Sequence, residues 1–448
     1  DMASIEKVKN YNPDWIENEF KSNRVENSIR YDINDIFTLR TNTFYEKMKH
    51  KARNINITYK NGYSIGDDSW SGTWSSNDAW QETKNYGTNI YLDSKFNTGS
   101  VGHTITTGYS LSESTNYKHK DEGKYYLYKN NMTLGELKKL DIPRTGYISF
   151  TGYDTIGEEA LTKSREWQFE NILIGDDIVF NEQWSALVGL NYATIVFNNN
   201  QNNTKYKESK LTPTLSLIYK PFENLTTYAT YIESLEEGTI VGSYYQNDGE
   251  ILSPYKSKQY EIGAKYSMLD ERALLTASLF RIERANQYTD NTTTPKPTLT
   301  QDGEAIHQGI EIGLIGKVTD NLTLMGGVTF MDLGIEKHTN KDIEGKKPIE
   351  AATKMAKLYS EYNIPYINGL SINAGAYYTG KKYSDEANTD ILPSYTLYDA
   401  GLRYSTKLGN YPTSFNLNVQ NLTDKVYWTN GNMLGDPRSV AFSMKMEF

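Results

Sequence analysis

A strict alternation of apolar and polar side chains, repeated in stretches of about ten residues, constrains what this chain can fold into. In the last stretch the apolar positions are Val440, Phe442, Met444, Met446 and Phe448. The same period of two recurs at residues 258–267, 397–404 and 413–420. Because successive side chains of a strand point to opposite faces, the pattern predicts many long antiparallel β-strands.

The two faces of these strands differ in composition. One face is rich in Tyr, Leu and Val, whereas the other carries Glu, Lys, Arg, Asp, Asn and Gln. An apolar face toward lipid and a polar face toward a wet lumen is the pattern of a transmembrane β-barrel. A large soluble β-sandwich, β-helix or propeller is the alternative, but it does not predict the arrangement of turns and loops described next.

Tight turns alternate along the chain with long polar segments. The expected turns are Asn34-Asp35, Asn97-Thr98-Gly99, Gly175-Asp176-Asp177, Pro221-Phe222-Glu223-Asn224, Leu269-Asp270, Thr319-Asp320, Asn363 to Asn368 and Leu408-Gly409-Asn410. The expected loops are residues 48–85, 113–164, 199–206, 236–255, 285–305, 334–353, 381–391 and 425–437. Short periplasmic turns opposite long outer loops are typical of outer-membrane barrels.

Consecutive strands must cross the membrane in opposite directions, and this requirement limits how many strands the chain can contain. With the C-terminus placed in the periplasm, residues 54–64 and 86–96 cannot both span the membrane, and we assign 54–64 to an outer loop. About seventeen strands then remain. Because single-chain bacterial barrels have an even number of strands, the count predicts that one strand is missed or that the chain is incomplete.

Composition narrows the class of protein further. The 36 Tyr residues have an apolar ring and a polar tip, which suit a membrane–water boundary. No apolar run approaches the roughly 18 residues of a spanning helix, which excludes a helical membrane protein. A net charge of −9 argues against a nucleic-acid partner, and the lack of Cys excludes disulfides and thiolate metal sites.

Six segments, in order over about 420 residues, resemble the barrel of TonB-dependent ferric-siderophore receptors. They are NSIRYDINDIFTLRTNTFY (27–45), ENLTTYATYIESLEEG (223–238), SPYKSKQYEIGAKY (253–266), HQGIEIGLIGKVTDNLTLMGGVTFMD (307–332), NVQNLTDKVYW (418–428) and PRSVAFSMKMEF (437–448). The resemblance implies an all-β fold, an antiparallel transmembrane β-barrel of the outer membrane. Barrels of that family typically have 22 strands, of which about seventeen are then present in this chain.

Members of that family carry an N-terminal plug inside the barrel, and the plug bears the short box that TonB grips. Residues 1–8, DMASIEKV, resemble one strand of that plug. Residues 9–448 form the expected transmembrane β-barrel domain. Neither the box nor a full plug is found in this sequence, which departs from the family pattern.

The resemblance implies import of a ferric siderophore across the outer membrane of a Gram-negative-type bacterium, energised through TonB. The implied partners are the ferric siderophore, TonB and outer-membrane lipid or lipopolysaccharide, with no nucleic acid. No cofactor is expected, because the iron is carried as a siderophore chelate. Two alternatives stay open: a TonB-dependent receptor for haem, cobalamin or a metal-bearing protein, and a passive porin or adhesin barrel. Haem would favour a loop histidine, here His119 or His338.

The outer loops carry the aromatic surfaces and cations that a bulky ferric chelate needs. The expected ligand-binding residues are Trp70, Trp74, Trp80, Tyr125, Tyr126, Tyr244, Tyr245, Arg284, Tyr288, Lys381, Lys382, Tyr383 and Trp428. An interfacial aromatic girdle is the alternative for a Tyr near a strand end. The girdle explains the three Trp residues less well, because they lie away from the expected spans.

No motif for catalysis or for metal binding is found. The five histidines lack H-x-x-x-H spacing, and the chain has no G-x-S-x-G elbow and no P-loop. Glu261 and Glu311 fall on polar faces, where we expect a hydrogen-bond network in the lumen. The sequence therefore predicts a receptor or transporter and not an enzyme.

Overall fold

The fold is all-β throughout the part of the chain that the computed structural model describes. That part comprises residues 18–58, 69–119, 127–133, 161–200, 203–236, 238–250, 252, 254–431 and 433–447. These residues contain no helix long and apolar enough to cross a membrane. Residues 1–8, with their resemblance to a plug strand, lie outside the described ranges.

The described residues form 22 strands, numbered in chain order. They are β1 (Asn18–Asp32), β2 (Phe37–Thr58), β3 (Ser69–Thr98), β4 (Val101–His119), β5 (Leu127–Thr133), β6 (Leu161–Val179), β7 (Trp184–Asn199), β8 (Thr204–Phe222), β9 (Leu225–Glu236), β10 (Tyr255–Met268), β11 (Ala273–Asp290), β12 (Thr298–Lys317), β13 (Leu322–Lys337), β14 (Lys354–Asn363), β15 (Leu370–Thr379), β16 (Lys382–Tyr383), β17 (Ile391–Leu392), β18 (Tyr395–Leu408), β19 (Tyr411–Gln420), β20 (Trp428–Asn430), β21 (Met433–Leu434) and β22 (Ser439–Met446).

Eighteen of these strands belong to one antiparallel sheet. Seventeen follow one another as neighbours: β1–β2–β3–β4, then β6 to β15, then β18–β19–β22. The eighteenth strand, β5, pairs with the first residues of β3. Among the described strands, β1 pairs with β2 alone and β22 with β19 alone, so this sheet is not closed. The expected count of about seventeen strands is confirmed.

Asparagine side chains close two of the tight turns. Asn34 Oδ1 accepts hydrogen bonds from the backbone N–H groups of Ile36 and Phe37, both at 2.9 Å. Asn181 Oδ1 does the same for Gln183 and Trp184. Asn is favoured in turns because its side chain mimics a backbone turn.

One expected turn is wrong. Gly175-Asp176-Asp177 lies inside β6, and the chain reverses only at residues 180–183. Gly and Asp are common in turns, but here Asp176 stays in the strand. Its Oδ2 lies 2.7 Å from His103 Nδ1 on the neighbouring strand β4.

The strands run further into the expected loops than the composition indicated. Trp70, Trp74 and Trp80 lie in β3 and not in a loop. Trp74 pairs in register with Ile55 of β2 and with Leu127 of β5. The Ser, Gly and Asp residues around them are typical of loops, yet the backbone hydrogen bonds between β2, β3 and β5 continue the sheet, and Trp favours strands.

The register separates two faces of the sheet, as the alternation predicts. Ile262, Leu279 and Ile310 lie side by side on β10, β11 and β12, and all three are exposed. We call this side the apolar face. The opposite side, the polar face, carries Glu261 and Glu311. No second sheet of comparable size is found among the described strands, so the arrangement differs from a two-sheet sandwich.

Hydrogen bonds tie neighbouring strands across the polar face. Tyr228 donates to Glu261 Oε1 at 2.5 Å, and Thr329 donates to Glu311 Oε1 at 3.3 Å. The expectation that Glu261 and Glu311 belong to a polar network is confirmed. Further along the sheet, Arg40 forms two hydrogen bonds of 2.6 and 2.8 Å to Asp93.

The two faces predict opposite responses to a charge at adjacent positions of β11. We expect Leu279→Lys, on the apolar face, to lower the free energy of unfolding by about 2–4 kcal/mol, because the ammonium would enter hydrocarbon. Ser278→Lys, on the polar face, should cost far less. Urea unfolding in lipid vesicles, followed by the gel mobility of unheated protein, measures both. Equal destabilisation by the two variants would contradict the assignment of faces.

Candidate functional site

A cavity of 760 Å³ lies at the loop end of the sheet, which we call the outer end. Three adjacent strands, β6, β7 and β8, form one wall, and the loop of residues 238–249 forms the other. The residues that line this outer cavity are Arg165, Trp167, Phe197, Asn199, Tyr206, Gly238, Thr239, Ile240, Val241, Gly242, Ser243, Asp248 and Gly249.

Aromatic side chains cover the strand wall. Trp167, Phe197 and Tyr206 face one another across β6, β7 and β8 because the register pairs them in one row. The ring centroids of Trp167 and Phe197 are 5.1 Å apart, and Tyr206 is buried. Such a row offers flat apolar surface for stacking. Arg165 adds an exposed cation beside it, and Asp248 adds a carboxylate from the loop.

The loop wall is held in place by its own contacts. Val241 is buried with Leu252 and with Leu299 of β12. Asn247 fastens the loop to the same strand: its Nδ2 donates to the Leu299 carbonyl at 2.9 Å, and its Oδ1 accepts from the Leu299 N–H at 3.1 Å. Gly249, with φ of 78°, makes the turn that returns the chain. The cavity is therefore preformed.

The structure separates the two adjacent tyrosines of this loop. Tyr245 packs against the Val241 cluster, and its hydroxyl lies 3.2 Å from Thr289 Oγ1. Tyr244 is 69% exposed and meets Tyr245 edge-on, with ring centroids 5.1 Å apart. Tyr245 thus supports the loop, whereas Tyr244 is free to contact a ligand.

Arg284 and Tyr288, both expected to bind ligand, make internal contacts on β11. Arg284 Nη2 donates to Glu236 Oε2 at 2.6 Å, so its charge is paired. Tyr288 is only 4% exposed, and its hydroxyl donates to Asp302 at 2.8 Å and lies 2.6 Å from Thr339 Oγ1. The ring of Tyr288 covers His338, with centroids 4.0 Å apart.

Lys382, also expected to bind ligand, instead makes a contact between two outer loops. This side chain is buried, and its ammonium donates to the carbonyl of Thr429 in the next outer loop. Burial lowers its pKa. Glu350 joins the same contact, because its Oε1 accepts from the Gly431 N–H at 3.1 Å and its own N–H donates to the Tyr383 carbonyl at 2.7 Å.

The neighbouring expected residues are more accessible. Lys381 is exposed and lies over the ring of Tyr383, 5.8 Å from its centroid. Trp428 begins β20, where its backbone pairs with Leu434, and its side chain is half-buried. These three residues lie in the segments between β15 and β18 and between β19 and β22, whereas the outer cavity lies at β6, β7 and β8. The structure therefore does not join all expected residues in one site.

For the remaining expected residues, the positions of the side chains are not described. Trp70, Trp74 and Trp80 lie in β3, and Tyr125 and Tyr126 lie outside the described residues. Among the residues that are described, no group of three His, Asp or Glu side chains is placed to hold a metal ion.

Trp167, Phe197 and Tyr206 are not among the ligand-binding residues expected from the sequence. The period of two contains the correcting signal: Trp167 shares its face with Asn171, a polar-face residue bonded to Asn191 and Ser110. Girdle aromatics belong on the apolar face, so an aromatic on the polar face indicates a lumen site.

Comparison with known proteins places this arrangement in a family. The family described as TonB dependent receptor-like, beta-barrel matches residues 4–422. The ferrioxamine B receptor of Salmonella typhimurium is 24% identical over 444 residues, covering 96% of this chain and 59% of that protein. The ferrichrome outer membrane transporter/phage receptor of Escherichia coli is 25% identical over 362 residues, covering 78% and 45%. The chain thus spans about half the length of the curated relatives it matches.

Solved structures show the same fold. The ferric preacinetobactin receptor BauA of Acinetobacter baumannii superposes with a TM-score of 0.76 at 24% identity, covering 97% of this chain and 64% of that one. The polar face therefore faces a barrel lumen, the apolar face faces the outer membrane, and the outer cavity opens at the loop end. This chain belongs to the TonB-dependent receptor β-barrel family.

Proposed function

We propose that the protein is the barrel of a receptor that takes up a ferric siderophore across the outer membrane, energised through TonB. The outer cavity is the place where the chelate first binds. Iron is cargo in this proposal, held by the chelator and not by protein side chains.

The main support for this proposal is the row of aromatic side chains on the strand wall of the outer cavity. Trp167 and Phe197 present apolar rings at a wet wall, where a purely structural role would favour polar side chains. A cavity of 760 Å³ falls within the usual range for small-molecule sites. The relatives named for ferrioxamine B, ferrichrome and preacinetobactin support a ferric chelate as the ligand.

Haem is the less favoured cargo. Of the two candidate histidines, the side chain of His119 lies outside the described side chains. His338 is only 5% exposed, is covered by Tyr288, and accepts the Asn340 N–H at Nδ1. Its Nε2 is buried without a hydrogen-bond partner, so an incoming iron atom could reach that nitrogen only if the packing around His338 opened.

Trp167 provides a direct test of the site. We expect Trp167→Ala to weaken the binding of a ferric siderophore roughly tenfold, because stacking contributes about 0.5–1.5 kcal/mol beyond buried area. Titration of the purified protein with ferric ferrichrome and ferric ferrioxamine B, followed by tryptophan fluorescence, measures the affinity. Trp167→Phe should retain most of it and lose part of the quenching.

Trp184 is the matched control, because it lies at the opposite end of β7 and stacks on Tyr219 at 4.4 Å. Trp184→Phe should leave affinity unchanged. If Trp167→Ala bound both chelates as tightly as the unaltered protein, the outer cavity would not be the binding site.

Arg165 allows the charge preference of the outer cavity to be measured. We expect Arg165→Gln to weaken an anionic catecholate chelate by about two- to fivefold, because a partly exposed charge pair contributes roughly 0.2–1 kcal/mol. A neutral hydroxamate chelate should bind as before. Competition between the two chelate types on each protein gives the ratio. Arg272→Gln, at a turn on the inner end where Arg272 bonds Asp320, is the control. Equal weakening of both types would contradict an electrostatic role for Arg165.

A further inference from the structure

Three polar side chains form a hydrogen-bonded chain at the inner end of the sheet, opposite the outer cavity. They belong to Thr98, the last residue of β3, to His103 near the start of β4, and to Asp176 near the end of β6. Thr98 Oγ1 lies 2.5 Å from His103 Nε2, and His103 Nδ1 lies 2.7 Å from Asp176 Oδ2. The uptake function makes no use of these contacts.

The strand register places this chain of side chains on the apolar face. One row of cross-strand partners runs from the apolar-face residue Ile262 through Ala229, Leu217, Ala186 and Ile178 to His103. The row continues to Phe96 of β3, whose ring stacks on the imidazole with centroids 5.1 Å apart. The imidazole therefore faces the membrane side of the wall and not the lumen.

The hydrogen bonds assign a role to each of the three groups. Because an ionised carboxylate only accepts, His103 donates from Nδ1 to Asp176. The Nε2 of the neutral ring is then an acceptor, and the Thr98 hydroxyl donates to it. A hydroxyl, an imidazole and a carboxylate linked in this order are the arrangement that turns a hydroxyl into a nucleophile for acyl transfer.

The turn after β3 leaves the hydroxyl accessible and supplies hydrogen-bond donors beside it. Thr98 is exposed, and Gly99, with φ of 64°, begins the turn that leads to β4. Within residues 69–119, no backbone carbonyl accepts the N–H of Gly99 or of Ser100. The N–H of the residue after a nucleophile is a common donor to the oxyanion formed in acyl transfer.

We propose that Thr98, His103 and Asp176 form an esterase site that acts on an acyl ester of a phospholipid in the inner leaflet. The ester groups of a phospholipid lie between its headgroup and its acyl chains, which is the level of the membrane at which strands end. Toward the membrane interior, Asp176 is followed on the same face by the exposed side chains of Ile174 and Val188. The acyl chain lies along these residues, and the headgroup lies beside the turn.

The reaction needs only water as a second reactant. Thr98 Oγ1 forms a bond to the ester carbonyl carbon while its proton passes to His103 Nε2, and the turn N–H groups hold the oxyanion. The bond from that carbon to the glycerol oxygen then breaks, and the glycerol oxygen takes the proton from Nε2. Water cleaves the acyl ester of Thr98 in the same way and restores the hydroxyl. One phospholipid and one water give one fatty acid and one lysophospholipid.

Thr98 gives the direct test. We expect the purified full chain, in mixed micelles with phosphatidylethanolamine, to release fatty acid, and Thr98→Val to abolish that release, because valine has the shape of threonine without the nucleophile. Thr98→Ser should retain it. Asp176→Asn should lower the rate at least roughly 100-fold, because the amide favours the wrong tautomer of His103. Mass spectrometry of the released acids measures the rates.

A trapped intermediate distinguishes catalysis from a structural role. After acid quenching of a reaction with a long-chain p-nitrophenyl ester, peptide mass spectrometry should find the acyl group on Thr98, and in Thr98→Ser on the new serine. Thr98→Val should carry none. A structural hydrogen bond alone would give no acyl adduct in any of these proteins.

Thr227 is the matched control, because it lies on the apolar face near the inner end of β9 and its hydroxyl donates to the Tyr219 carbonyl at 3.0 Å. Thr227→Val should hydrolyse the lipid as fast as the unaltered protein. The gel mobility of unheated protein reports that each variant is folded. Release that survives Thr98→Val comes from another enzyme in the preparation and overturns the proposal. So does an unaltered protein that releases no more fatty acid than Thr98→Val.

Discussion

Every backbone N–H and C=O group that faces hydrocarbon must be paired within the protein, because an unpaired one costs several kcal/mol there. The antiparallel ladder meets this requirement, as in the uninterrupted register of β10 with β11. The same requirement applies to the two edges of the described sheet, β1 and β22. In a bilayer their outward-facing backbone groups need partners from outside the described strands. Away from lipid the constraint relaxes, and there β3 continues for 30 residues in all and gains β5 as an added neighbour.

Once the ladder is fixed, the period of two decides what each side chain can do. A tyrosine or tryptophan on the apolar face meets lipid, whereas one on the polar face meets the lumen. Tyr260 and Trp167 illustrate the difference: both lie toward the outer end of a strand, yet Tyr260 sits at the membrane boundary and Trp167 lines the outer cavity. Residue type and distance from a loop are therefore insufficient to assign a role, and strand parity supplies the missing information.

More of the fold than of the candidate site could be predicted from the sequence. Alternation and turn residues are local signals, and they gave the strand count and both faces. They failed at Gly175, where Asp176 contacts His103 on another strand, and at Trp74, where β2 and β5 extend the sheet. The site depends on contacts between distant loops. Lys382 and Tyr288 are residue types that often contact ligands. In this fold both are buried, Lys382 bonded to Thr429 and Tyr288 packed on His338, and no local pattern encodes those partners.

The wall between lumen and lipid is one sheet thick, so each strand serves both sides with alternate residues. On β10, Glu261 belongs to the lumen network, whereas Ile262 is exposed on the apolar face. Gly263, the next residue of β10, matters for both sides. Its missing side chain lets the Tyr228 hydroxyl lie against the backbone on the lumen side, where an added Cβ would stand 2.5 Å from that oxygen. The backbone of Gly263 also borders the apolar face, beside Ile262 and Ala264. A side chain at this position would displace Tyr228 from Glu261 and press on the Ala277 carbonyl of the neighbouring strand, so the lumen network and the backbone ladder share one structural requirement.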